Sequence, residues 1–210
     1  MSKTIFLVLG AYALVVLTLA VAGPSGGVAC AEDGETPTYV GADSCKACHF
    51  KQHKSWNKTT MSKAYSVLLP GIATEKKKAT GLDPEKDYCK DAKCLECHTT
   101  AYGTESGFPA VVEGKDWTDA EKARAELNKG VTCEACHGPG SLYGPFKKKN
   151  KEYKRAEIVA LGAATPVTEK NCMPCHEKRC PTMGDDYKFD YEANKNSDKI
   201  HDHKKLKKPH

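Results

Sequence analysis

The chain has 210 residues, with 32 basic and 27 acidic side chains and a formal net charge of +5. That balance is mild, and no basic stripe interleaves with aromatics, so no nucleic-acid partner is expected. Aromatic residues make up only 8% of the chain, which leaves a thin protein core unless something else supplies apolar surface.

Residues 5–23 form an uncharged apolar run behind Lys3, and Pro24 and a glycine-rich break follow it. Ala29-Cys30-Ala31 then gives the small-x-small pattern of a signal-peptidase site. Residues 1–31 are therefore expected to be a secretory signal, with residues 32–210 as one exported domain. The run is also close to the length that spans a bilayer, so an uncleaved membrane anchor is the alternative. Either way the domain is expected on the periplasmic side of the inner membrane, in an oxidising compartment.

Residues 32–40 are polar and predict a loose start. Cys45-Lys-Ala-Cys48-His49 follows. Met61, Ala64, Tyr65, Leu68 and Leu69 recur at helical spacing and predict a helix that stops at Pro70-Gly71. A lysine-rich segment, 75–78, leads towards Cys94-Leu-Glu-Cys97-His98. Thr118-Asp-Ala-Glu121 is a capping-box pattern that opens a short helix closed by Gly130. Cys133-Glu-Ala-Cys136-His137 comes next, then a rigid Gly138-Pro139-Gly140 turn, a basic run at 147–149, and a predicted helix over 151–161 with Gly162 as its stop. Cys172-Met-Pro-Cys175-His176 precedes a polar tail rich in histidine and lysine. No alternating strand pattern longer than a few residues occurs. The expected fold is mainly α, with short helices and long loops.

Of the 11 cysteines, Cys30 leaves with the signal and eight fall into the four copies of C-x-x-C-H. That pattern reads as covalent attachment of c-type haem. Two thiols add to the two vinyl groups of one porphyrin, and the adjacent imidazole reaches the iron as proximal ligand. Two Cys₄ zinc sites or a thioredoxin-like dithiol are the competing readings, but neither needs a histidine after every pair. The cofactor expected is haem c, four copies, held by Cys45, Cys48, Cys94, Cys97, Cys133, Cys136, Cys172 and Cys175. The proximal ligands are His49, His98, His137 and His176. Packed macrocycles then replace missing apolar side chains, and the helices and loops wrap around them. Cys89 and Cys180 remain, as a disulfide or as two thiols.

The sixth ligand decides what each iron does: a second imidazole makes a low-potential carrier, methionine raises the potential, and an open position binds a small molecule. The candidates are His53, His201, His203 and His210, with Met61 and Met183. His201 and His203 are two residues apart and point in different directions on a helix, so one is expected as ligand. His53 lies one turn after His49 and could serve a neighbouring iron.

The chain resembles the tetrahaem cytochrome c-554 family over residues 40–210. The resemblance rests on Cys45-Lys-Ala-Cys-His49 with Ser55-Trp56, on Leu82-Asp-Pro-Glu-Lys-Asp-Tyr88, and on Tyr102-Gly103. It extends through Gly130-Val-Thr-Cys-Glu-Ala-Cys-His-Gly-Pro-Gly140, the fourth motif and Ile200-His-Asp-His-Lys-Lys-Leu206. It implies haems in close pairs, an open high-spin haem two on His98, and a tail histidine, best matched by His203, as distal ligand to haem three. Two departures stand out. Met61 occupies the place of one distal histidine and would serve haem four, and residues 141–149 lack another, leaving His53 as the substitute for haem one.

The expected function is electron transfer between redox partner proteins, a donor and an acceptor. One alternative is reduction of a small species such as nitric oxide at an open haem two. Another is a haem-lined filament subunit. The lysine runs at 147–149 and 204–208 are solvated faces, or docking patches for an acidic partner.

Overall fold

The computed structural model describes residues 34–176, 182–184 and 186–204. The chain forms two compact units, Met1–Glu35 and Thr36–His210, and only Gly34 and Glu35 of the first are described. The signal segment expected at 1–31 lies outside the described residues, as do Cys180, His210 and residues 205–208 of the tail. No helix among the described residues is long and apolar enough to cross a membrane.

The second unit is helical, and among its described residues the only β pairing is an isolated antiparallel bridge between Thr99 and Lys129. A 3₁₀ turn at Ala42–Cys45 leads into motif one, and α1 (Phe50–Trp56) begins on the residue after His49. Helix α2 is Thr74–Ala79 and α3 is Ala92–His98. Asp91 caps α3 by accepting from the Lys93 amide at 3.0 Å. Helix α4 (Asp119–Asn128) carries the expected capping box: the Thr118 hydroxyl accepts from the Glu121 amide at 3.2 Å, and the Glu121 carboxylate accepts from the Thr118 amide at 2.8 Å. The chain then turns through Gly130 at φ +77° into α5 (Cys133–His137). A Cβ on Gly130 would meet the Ser62 carbonyl at 2.7 Å, so this position requires glycine on two counts. Helices α6 (Tyr143–Lys149), α7 (Arg155–Ala160), α8 (Glu169–His176) and α9 (Tyr191–Asn194) complete the unit.

Two expectations change. The periodic stretch 61–69 is a series of turns ending in a 3₁₀ turn at Ser66–Leu68, not a continuous helix. Its hydroxyls compete for the ladder: Ser62 donates to the Thr59 carbonyl at 2.9 Å and Ser66 to the Lys63 carbonyl at 2.8 Å. Its carbonyls are also drawn outward, that of Met61 by the Val131 amide at 3.0 Å and that of Ala64 by His98 at 2.5 Å. The helix expected over 151–161 forms only at Arg155–Ala160, because Asn150 and Lys154 are extended. The two lysine runs at 75–78 and 147–149 lie within α2 and α6.

The core is small. Leu68, Tyr88, Cys89, Leu95, Phe108 and Ala125 are buried, with Tyr65, Tyr102 and Trp117 packed against them. Phe108 is its hub: its ring centre lies 5.4 Å from Trp117, edge-on, and 5.6 Å from Tyr65. Leu95 is the first variable residue of motif two, so this core holds the motif-two helix from behind. Large apolar side chains elsewhere, such as Phe50 and Ile72, remain exposed.

Candidate cofactor site

Each C-x-x-C-H motif either forms or adjoins a short helix, which sets its two sulfurs and its imidazole on one local surface. The 3₁₀ turn of motif one packs against α5 of motif three; α5 packs against α8 of motif four; α8 packs against α3 of motif two. The spatial order is therefore one, three, four, two. At the first junction the Cys45 and Cys133 thiols hydrogen-bond to each other, which holds the Cys45 thiol below its ordinary range and pushes that of Cys133 up. At the second, Cys136 is pushed up to about 11 by burial and then by the nearby charge of Cys172.

The junction of motifs one and three is built around a buried carboxylate. Glu134, the first variable residue of motif three, is 1% exposed. It accepts from the amides of Val40 at 3.0 Å, Gly41 at 2.7 Å and Gly140 at 2.7 Å. Burial pushes its carboxyl up and those amides pull it back. Leu95 and Glu134 occupy the same place in their motifs and both face inward, which turns the neighbouring cysteines and histidine the other way.

The four proximal histidines differ in their surroundings. The His98 Nδ1–H donates to the Ala64 carbonyl at 2.5 Å, leaving Nε2 for a metal. His176 Nδ1 is 2.7 Å from the Tyr187 hydroxyl, and its ring lies 4.3 Å from that of Phe189. Burial lowers the His176 pKa and, with Lys147 and His201 nearby, that of His49. His137 is lowered furthest, to about 4, first by burial and then by His201, His49, Lys147 and His203. Neutral imidazole is the form that binds metal, so the burial that lowers these values also prepares the rings as ligands.

The distal candidates are dispersed. The ring of His201 faces that of His137 at 6.2 Å between centroids, with planes 30° apart. His201 Nδ1 is 3.0 Å from the Asp202 carbonyl, which directs its other nitrogen away from the backbone. His203 stacks on His201 at 4.3 Å and places Nε2 3.2 Å from the Ser197 carbonyl. His53 packs on Trp56 and lies 3.1 Å from Asp43. Met61 is half-buried, with its backbone tied to Val131 ahead of motif three. Met183 is half-buried, and Lys147 lies against motif one, its ammonium lowered by burial and supported by the Cys48 and Cys45 thiols. Spacing and pattern alone did not reveal Tyr187, Glu134 or the Ala64 carbonyl as supports. The variable residues of the motifs and an aromatic eleven positions after His176 were the available signals.

These residues fit covalent haem. Each segment carries two cysteine sulfurs with an imidazole on the next residue, and apolar side chains such as Phe50 and Ile72 stay exposed.

Known proteins point the same way. The family model described as "Cytochrome c554 and c-prime" matches residues 44–138. Cytochrome c-554 of Nitrosomonas europaea (strain ATCC 19718) is 32% identical over 146 residues, covering 66% of this chain and 57% of that protein. The chain thus spans a little over half the length of this curated relative. The solved structure of reduced cytochrome c554 from Nitrosomonas europaea matches with a TM-score of 0.56 at 26% identity, covering 77% of this chain and 78% of that one.

Proposed function

We propose that the chain is a tetrahaem electron carrier of the cytochrome c554 family, exported to the periplasm and passing electrons between a donor and an acceptor protein. The observation that carries this reading is the unbroken packing of the four motif segments in the order one, three, four, two.

Bound haem supplies an iron that cycles between ferric and ferrous states by one electron. The chain's own residues fix where and how it does so. Each cysteine pair anchors a macrocycle at a set place on its segment. His98 is oriented by the Ala64 carbonyl and His176 by Tyr187, so that one ring nitrogen of each is presented outward. His201, beside His137, would be available as a further ligand near motif three. Glu134 binds the segment before motif one to motif three and fixes the spacing of that pair. Export rests on the signal pattern in residues 1–31.

The test is a haem count by mass, followed by an optical redox titration of the holoprotein. Four thioether-bound haems and reversible one-electron waves are expected. Fewer haems, or haem that reduces irreversibly, would sink the proposal.

A further inference from the structure

Outside the cysteine motifs the structure has an open cleft of about 750 Å³. Lys51, Lys54, Lys58 and Lys199 line it, together with Asp198 and Asp202. Lys51 and Lys54 stand three apart on α1 and Lys58 lies just beyond its end, so like charges gather along this wall of the cleft, where they repel. Several lysines elsewhere are neutralised by a nearby carboxylate. Lys78, Lys122, Lys129 and Lys195 each pair with a carboxylate three residues earlier. Among the described residues none of the four cleft lysines has an ion-pair partner. Asp202 is already engaged, accepting from the Lys204 amide at 2.8 Å with the Lys204 ammonium 3.8 Å away.

The cleft lies beside the cofactor motifs. Helix α1 starts directly after His49. The Trp56 indole donates to the Val131 carbonyl at 2.9 Å, two residues before motif three. The other wall comes from residues 198–202, which run into His201. The cleft therefore adjoins the helix that follows motif one, and that helix is tied to the segment before motif three.

We propose that this cleft is the docking surface for an acidic one-electron redox protein, whose surface carboxylates seat against Lys51, Lys54, Lys58 and Lys199. The proposal rests on the electron-carrier reading above. Unpaired ammonium groups around an open concavity steer an anionic partner and fix its orientation.

The test uses the full haem-loaded chain and its K51E/K54E/K58E variant. Dithionite-reduced protein is mixed at low ionic strength with ferricyanide, an anionic oxidant, or with tris(phenanthroline)cobalt(III), a cationic one. Hexaglutamate and inorganic phosphate are titrated in parallel. The variant should react about tenfold more slowly with ferricyanide, no more slowly with the cobalt complex, and should lose hexaglutamate binding. Added salt should erase the difference. Equal ferricyanide rates would overturn the docking surface. So would phosphate displacing hexaglutamate at equal concentration, which marks a small-anion site. A shift in haem potentials with an unchanged salt dependence would also overturn it, because the lysines would then be balancing haem propionates. If charge reversal costs haem loading, K51Q/K54Q/K58Q should show a smaller fall in the same direction. Wild-type protein that reduces neither oxidant would refute the electron-carrier reading itself, whereas matched rates in wild type and variant refute only the docking surface.

Discussion

The imidazoles of His137 and His201 face each other at 6.2 Å, while His203 stacks behind His201 and reaches back to the Ser197 carbonyl. The two tail histidines are thus unequal despite being two residues apart. H201A should convert one haem of the oxidised holoprotein from low to high spin. H203A should leave the low-spin signals intact. Electron paramagnetic resonance of both variants checks this, and the opposite pattern would assign the ligand to His203.

Tyr187 should tune the iron of motif four through His176. A ligating imidazole whose Nδ1–H has a hydrogen-bond acceptor is more basic and favours ferric iron. Losing a hydrogen bond of roughly 0.5–1 kcal/mol in that preference corresponds to about 20–40 mV. Y187F should therefore raise one of the four reduction potentials by that amount. A spectroelectrochemical titration reads it, and an unchanged set of potentials would show that the tyrosine only packs.

Removing the Glu134 carboxylate would strand the buried amides of Val40, Gly41 and Gly140. An unmatched buried donor costs about 1–3 kcal/mol, and water entering the vacated space recovers part of that. E134A should destabilise the holoprotein by about 2–4 kcal/mol in a denaturant melt. Haem stoichiometry should be retained. A loss below 1 kcal/mol would mean that the segment before motif one is held by other contacts.

The α4 capping box should make stability depend on acid. The Thr118 amide, then its hydroxyl, hold the Glu121 carboxyl below its ordinary 4.5. The folded value lies below the unfolded one, so the stabilisation is present above about pH 4.5 and is lost as pH falls through the folded value. E121Q should be less stable than wild type near neutrality, and the gap should close on acidification. Denaturation midpoints from pH 7 to pH 3 measure it. A gap constant across that range would contradict the linkage.

The features that the sequence announces are those whose chemistry is local. C-x-x-C-H needs only five consecutive residues, and the Thr118–Glu121 box and the Gly130 stop are settled within one turn of chain. The stretch 61–69 had the right period yet gave up its ladder, because Val131 and His98, distant in sequence, claimed the Met61 and Ala64 carbonyls. Periodicity cannot register a competitor that arrives only on folding. Glu134 was hidden for a related reason: a charged residue in a variable motif position reads as surface until the three amides that surround it are brought in from residues 40, 41 and 140. The distal set follows the same rule. His201 and His203 are indistinguishable by spacing; the family resemblance favours His203, whereas the structure sets the His201 ring beside that of His137.

Because the motif segments touch in the order one, three, four, two, neighbours in the sequence are not always neighbours in space. Motifs one and two, consecutive along the chain, form opposite ends of a series wire whose inner links are three and four. Severing an end link shortens such a wire, but severing motif three divides it into a lone terminal and a coupled pair. Damage of equal chemical size at different motifs would therefore produce unequal loss of conduction.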